Sequence, residues 1–245
     1  MRSNLTRKRT GRHIEAVCIV SGGLDSICAT AHLIETKGYR AHMITFGYGQ
    51  RARREIRAAK QFAKIFEIQD HKVVDISFLK AIYGKTNALT DANRALPKCF
   101  DYSIVVPLRN AIFIAIASAW AMSIGAEIVA YGAHRGDERY PDCRPDFVRS
   151  ITNALNLGES DGIESGLRKR INIWSPAIDG IEKSDLLKAG YKILGNRIFR
   201  TWSCYTDGIG ERRKNPLQCG RCESCINRKE AISKAGLEDK TRYAN

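Results

Sequence analysis

The segment Ser21-Gly22-Gly23-Leu24-Asp25-Ser26 constrains this chain most, because it joins a β-rich apolar run at 14–20 to a helix-like run at 25–37. A helix start leaves backbone N–H groups unpaired and carries partial positive charge, so it attracts anions. Gly22 and Gly23 let the backbone turn tightly and approach a phosphate with no Cβ in the way. Ser21 and Ser26 add hydroxyl donors, and Asp25 either caps the helix or helps hold Mg²⁺ beside the phosphates. No Gly-Lys-Ser/Thr follows, so this is not a Walker A loop. The plain alternative is a strand–turn–helix junction with an aspartate cap.

The rest of the chain sets that loop in a repeating pattern. Strand-like runs at 39–46, 71–76, 127–131 and 171–175 alternate with helix-like runs at 51–66, 146–157 and 183–194. A long apolar helix is entered from 105–110 and runs to about residue 123. Such alternation predicts an α/β fold with a parallel sheet covered on both faces. A length of 245 residues with 44% hydrophobic content supports one core with an appendage. Residues 1–13 carry Arg2, Arg7, Lys8, Arg9 and Arg12 with no acid and read as a disordered basic tail. Residues 14–200 form the α/β domain, and 201–245, rich in Cys, Gly and polar residues, form a small metal-held lobe. The longest apolar stretch, 111–121, falls short of the ~20 residues of a membrane span and reads as a buried helix. The N-terminal apolar run lacks the features of a secretory signal. A cytoplasmic protein with no membrane partner is expected. The net charge of +14 favours anionic partners (nucleotides, phosphates, nucleic acid) without choosing among them, and non-specific RNA contact is compatible with it. A solvated basic surface explains the charge as well.

Eight cysteines in a reducing compartment point to metal ligands before disulfides. Cys219, Cys222 and Cys225 are each two residues apart, and fourteen residues separate Cys204 from Cys219. Four thiolates complete a tetrahedral Zn²⁺ shell with no open position, which makes one structural ion per chain. An iron–sulfur cluster uses the same ligands, and free buried cysteines are the bland alternative. Cys18 and Cys28 fall in the first strand and helix and read as core, and Cys99 has no partner spacing.

Three further segments are dense in unusual residues: Phe46-Gly47-Tyr48-Gly49-Gln50-Arg51, Val106-Pro107-Leu108-Arg109-Asn110, and the run 132–145 that ends Tyr140-Pro141-Asp142-Cys143-Arg144-Pro145. In a doubly wound sheet, ligands bind at the C-terminal ends of the strands. All three segments, like the phosphate loop, emerge at that edge and are expected to line one pocket.

The phosphate loop resembles the PP-loop of N-type ATP pyrophosphatases. Taken with Tyr48-Gly49-Gln50-Arg51, the two later segments, and Thr201-Trp202-Ser203-Cys204-Tyr205 followed by Cys-x-x-Cys-x-x-Cys, the chain resembles the 7-cyano-7-deazaguanine (preQ0) synthase family. The resemblance implies a Rossmann-like, adenine nucleotide alpha hydrolase-like fold with a C-terminal zinc lobe, and a homodimer. It implies an ATP-dependent C–N ligase that consumes 7-carboxy-7-deazaguanine, ammonia and two ATP. The carboxylate is adenylated, ammonia gives an amide, and a second adenylation expels the amide oxygen to leave a nitrile for queuosine or archaeosine synthesis in tRNA. Ser21, Gly22, Gly23, Leu24, Asp25 and Ser26 would then cradle ATP, with Mg²⁺ as activator. Asp25, Arg109 and Lys183 would be catalytic, the two cations offsetting charge on pyrophosphate or the acyl-adenylate. Gln50, Arg51, Arg109, Asn110, Asp137, Tyr140, Asp142 and Arg144 would bind substrate. Asp137 and Asp142 either read the N–H edge of the base, bind Mg²⁺, or serve as loop caps and surface ion pairs. Tyr140 stacks on the base or simply packs. Lys183 can also be read as a helix-start surface lysine. Cys143 reads as a pocket or core residue and not a nucleophile, since adenylation needs no thiol, and His134 reads as incidental. Two departures from the family stand out: the loop Ala133 to Arg139, and a basic insertion around Glu211 to Lys214 in the cysteine spacer. A PP-loop enzyme acting directly on tRNA, by thiolation or amidotransfer, is the main rival. A non-enzymatic zinc module that binds nucleic acid is the second.

Overall fold

A computed structural model describes residues 13–209 and 216–244. The expected basic tail lies outside the described residues except for His13, and so does the basic stretch at 211–214. In chain order the elements are β1 (Glu15–Ile19), α1 (Leu24–Glu35), β2 (Arg40–Gly47), α2 (Arg54–Ile65), β3 (His71–Asp75) and α3 (Leu79–Tyr83). Then follow α4 (Arg109–Ile124), β4 (Ile128–Ala130), α5 (Pro145–Gly158), α6 (Ser160–Glu164), β5 (Asn172–Trp174), α7 (Lys183–Leu194) and α8 (Glu223–Lys234).

The five strands make one parallel sheet in the order β3-β2-β1-β4-β5. Side chains alternate across a strand, so each central strand feeds two cores. Val17, Ile44, Phe46, Val129 and Ile173 point into one, with Ile114, Ala117 and Ala121 of α4 and Val148 of α5. Ala16, Cys18, Met43, Ala130 and Trp174 point into the other, with Ile27 and Leu33 of α1, Phe62 of α2 and Leu186 of α7. Ala231 and Ile232 of α8 join this second core, so the cysteine lobe is fastened to the sheet domain by shared apolar packing.

Two sequence readings change. The helix expected from residue 51 begins at Arg54, because Arg51 is spent on a loop: its Nη1 donates to the carbonyls of Ala88 (3.2 Å) and Arg94 (2.8 Å). The segment Tyr102–Ile124 is long and apolar enough, by length and composition alone, to cross a membrane, although its longest apolar stretch reads as too short. Here α4 packs against β1 and β4 and supplies a core, which accounts for its apolar character.

Strand order reverses between β1 and β4, whose chains leave in opposite directions across the sheet. The crevice outside their carboxyl ends is the switch point where doubly wound folds take ligands. Two glycines let the walls close there. Gly22 (φ +93°) sits so near α2 that a Cβ would lie 2.1 Å from the Glu55 carbonyl oxygen. Gly132, just beyond β4, is pressed on α1, where a Cβ would come within 2.7 Å of the Ser26 nitrogen.

Candidate active site

A cavity of about 280 Å³ opens at this switch point. The phosphate loop forms its floor. Ser21 and Ser26 hydroxyls lie 3.2 Å apart, the Gly23 N–H donates to Ser21 Oγ at 3.2 Å, and the Ser26 hydroxyl donates to the Gly23 carbonyl at 3.2 Å. The N-cap of α1 is Gly23, and no side chain caps it. The first-turn N–H groups are thus left to an incoming anion. The cap reading of Asp25 is corrected accordingly: its Oδ2 accepts from Lys183 Nζ at 3.0 Å, across 158 positions of sequence. The surface-lysine reading of Lys183 falls with the same bond.

Charge on this side of the cavity is well balanced. Burial works to raise the Asp25 carboxyl, but Lys183 and then His134 outweigh it and hold the group below its ordinary value. Burial works to lower Lys183, and Asp25 with Asp137 reverses that and raises it. Both partners are therefore ionised at neutral pH. His134, read from sequence as incidental, is only 4% exposed and stands between two acids. Its Nε2 is 3.3 Å from Asp137 Oδ2 and 3.9 Å from Asp25 Oδ1. Burial leads the rise of the Asp137 carboxyl.

Arg109 lies in a second neighbourhood of the same cavity. It opens α4 after Leu108, a residue held at φ +54°. Its Nη1 donates to the Tyr48 hydroxyl at 3.4 Å and its guanidinium lies 5.7 Å from the Tyr48 ring centre. Burial opposes its charge, while Tyr48, Asp142 and Glu55 raise it, so it stays a cation. Asn110 Nδ2 reaches Cys143 Sγ at 3.7 Å, and Tyr140 meets Phe100 edge-on with centroids 5.2 Å apart. Burial pushes the Cys143 thiol well up, which leaves it protonated and a poor nucleophile.

Of the sequence candidates, Ser21, Gly23, Leu24, Asp25, Ser26, Gln50, Arg109, Asn110, Asp137, Tyr140, Asp142 and Lys183 line the cavity together. Gly22, Arg51 and Arg144 do not. Gly22 is needed behind the loop, against α2, and its carbonyl accepts from the Trp202 N–H at 3.0 Å. Arg51 pins the 88–94 loop as described. Arg144 Nε donates to the Glu138 carbonyl at 2.7 Å. Gln50 does line the cavity, but its amide is spent on backbone, accepting from Tyr48 N (2.9 Å) and donating to the Phe46 carbonyl (3.2 Å).

Sequence reasoning missed the wall that the cysteine lobe supplies. Ser203, Tyr205, Glu223, Ser224 and Asn227 all line the cavity. Glu223, 3% exposed, accepts from Tyr205 OH at 2.8 Å and Asn227 Nδ2 at 2.6 Å. It also missed Glu55, whose carboxyl burial raises to about 8 against the pull of Arg109. Only a lobe held in place can serve as such a wall. The ligand atoms of Cys204, Cys219, Cys222 and Cys225, all buried, lie within 4.8 Å of one another, so they could hold a metal ion. Backbone N–H groups of Cys219 and Cys222 donate to Cys204 Sγ and Cys219 Sγ, each at 3.3 Å, which suits thiolates. Gln218 orients the first ligand, accepting from the Cys204 N–H at 3.1 Å and donating to the Thr201 carbonyl at 3.1 Å.

Residues 15–236 match the family model described as "Queuosine biosynthesis protein QueC". A Rickettsia akari protein named 7-cyano-7-deazaguanine synthase is 37% identical over 238 residues, covering 94% of this chain and 99% of that one. A Thermoplasma acidophilum protein of the same name is 39% identical over 236 residues, covering 94% and 92%. Among solved structures, an NMN synthetase from Francisella tularensis aligns with a TM-score of 0.43 and 12% identity, over 92% of this chain and 88% of that one.

Proposed function

The chain belongs to the QueC family of queuosine biosynthesis proteins, and from that premise we propose how its cavity makes 7-cyano-7-deazaguanine. The observation that carries the reading is that one cavity holds two cationic centres with separate partners: Lys183, bonded to Asp25 beside an uncapped helix start, and Arg109, bonded to Tyr48. One centre suits the phosphates of ATP and the other suits the carboxylate of the base.

The first-turn N–H groups of α1 and the Ser21 and Ser26 hydroxyls receive the phosphates. Lys183 offsets the charge that grows on pyrophosphate, and Arg109 holds the carboxylate in line with the α-phosphorus. A carboxylate oxygen bonds to that phosphorus and pyrophosphate leaves. Ammonia then bonds to the acyl carbon, the C–O bond to AMP breaks, and the amide remains. The amide oxygen repeats the attack on a second ATP, and loss of AMP with two N–H protons leaves the nitrile. Asp25 and Asp137, two carboxylates facing the phosphate side, are a donor set that fits Mg²⁺ and would hold it there. When bound, that ion neutralises phosphate charge.

The four thiolates suit zinc in particular. Zn–S bonds of ~2.3 Å place tetrahedral sulfurs about 3.8 Å apart, and Cys219 Sγ and Cys225 Sγ are 3.8 Å apart. An iron–sulfur cube puts its own atoms between the thiolates and spreads them farther. With no open position such an ion is structural, and it holds the 201–245 lobe as one wall for the 14–200 domain. A homodimer in the cytoplasm is carried over from the family resemblance. Family membership weighs against action on tRNA itself.

The test is turnover. Purified protein given ATP, an ammonium salt and 7-carboxy-7-deazaguanine should form the nitrile with two AMP per product and no requirement for tRNA. ATP hydrolysis to ADP, or a strict need for tRNA, would overturn the reading.

A further inference from the structure

One acid of the cavity, Glu55, has no side-chain partner among the described residues. Glu55 lies in the first turn of α2, where the backbone is pressed on the phosphate loop at Gly22, and it lines the cavity. Of the other acids there, Asp142 accepts from the Cys143 thiol at 3.7 Å and the remaining three are occupied. Asp25 is bonded to Lys183, Asp137 accepts from the His134 N–H at 3.1 Å, and Glu223 accepts from two side chains. The Glu55 carboxylate has no hydrogen-bond or ion-pair partner among the described residues, and Arg109 is the cation that acts on it from a distance. Burial keeps this carboxyl largely neutral at neutral pH in the free cavity, so it repels neither anion there and ionises where a cation settles beside it.

Two cations belong to the reaction proposed above. Mg²⁺ keeps several waters and is held where carboxylates meet phosphates, which is the Asp25 and Asp137 side. Glu55 belongs to the other neighbourhood, with Arg109, Cys204 and Asp207 as the charged or titratable groups acting on it. That is where the acyl carbon lies if Arg109 holds the substrate carboxylate. We propose that Glu55 is the subsite for the nitrogen donor, binding ammonium against the acyl-adenylate. Ionised by that contact, the same carboxylate takes the proton that ammonium sheds. One N–H proton passes to Glu55, the freed lone pair bonds to the acyl carbon, and AMP departs with the C–O electrons. The second proton goes to water. This inference rests on the proposed function.

The experiment uses the full chain with Glu55→Gln and Glu55→Asp. Ammonium is varied at saturating ATP and carboxylated base, and pyrophosphate–ATP exchange without ammonium reports the first adenylation alone. Loss of a charge-assisted contact should raise KM for ammonium ~10-fold or more in Glu55→Gln, with partial recovery in Glu55→Asp. Exchange and KM for ATP should stay within about twofold of wild type. Hydroxylamine, a nucleophile largely neutral at the assay pH, should be used nearly as well by Glu55→Gln as by wild type. An unchanged KM for ammonium in both variants would overturn the proposal. So would lost exchange, or a shift in the Mg²⁺ requirement in its place. Absence of exchange in the wild type would instead remove the adenylation reading beneath it.

Discussion

Replacing Gly22 with alanine puts a methyl group where the structure has none to spare. The position has φ +93°, and left-handed backbone costs an L-residue about 1–2 kcal/mol. Its Cβ would lie 2.1 Å from the Glu55 carbonyl oxygen and 2.7 Å from the Ala59 nitrogen. Reaching even 3.0 Å requires α2 to retreat by 0.9 Å from the first (3.0 − 2.1), and neither neighbour is a side chain that can rotate away. Strain and displacement together should destabilise the fold by about 3 kcal/mol, which for a chain this size is a drop in Tm of roughly 6–12 °C. The retreat also moves the phosphate loop by a distance that costs about 10²-fold in kcat/KM. Gly23→Ala is the control, since Gly23 has φ −73° and its nearest neighbour would be the Ser21 hydroxyl at 3.2 Å. Its stability should change by less than about 1 kcal/mol. Thermal melting by circular dichroism and steady-state kinetics on both variants decide the matter. Equal melting temperatures for Gly22→Ala and Gly23→Ala would refute the packing argument.

Cys222→Ser should abolish stoichiometric zinc and with it most of the stability of the lobe, because metal binding and folding are one equilibrium. Elemental analysis of anaerobically purified wild type should find one zinc per chain, and iron in its place would contradict the reading. Lys183→Met should lower kcat/KM for ATP by ~10²-fold or more through loss of the pyrophosphate partner, and activity near wild type would remove that role. The Asp25–Lys183 pair also has a pH signature. Asp25 is held below 3.8 and Lys183 above 10.5 in the folded protein. The stability each contributes is fully present between those values; it is lost as pH falls through the folded Asp25 value and as pH rises through the folded Lys183 value. The stability gap between wild type and Asp25→Asn/Lys183→Met should thus be flat from about pH 5 to 9 and shrink towards pH 3. A gap that changes across neutral pH would show that other groups control it.

The sequence carried the fold well because its signals are local. Apolar runs five to eight residues long gave the strands, and the lysine at the head of α7 and the apolar spacing to Leu194 gave that helix to its ends. Loops at strand ends could be assigned to one cavity by topology alone. Pairings between distant segments left no such trace. Nothing near Asp25 announces Lys183, and the serine–glycine context made a helix cap the natural reading. Arg51 sits at the head of a charged stretch, so its bonds to the 88–94 carbonyls look from sequence like an early helix start. Glu55 is hidden for the same reason, as one acid among arginines on an apparently solvated helix. His134 has no metal-type spacing, and its place between Asp25 and Asp137 exists only once β4 lies beside β1. The cysteine spacing disclosed a metal shell but not the use of its far side, where Tyr205, Glu223 and Asn227 close the cavity.

The most direct test of the chemistry follows the two oxygens of the substrate carboxylate. If both leave by adenylation, substrate labelled with ¹⁸O at both positions transfers one label to each of two AMP molecules, and the nitrile carries none. Mass spectrometry of AMP, phosphate and nitrile after a single turnover reads this out. One label in every AMP is the expected result. Label in inorganic phosphate, or in water with unlabelled AMP, would contradict activation at the α-phosphorus and the role given to the phosphate loop.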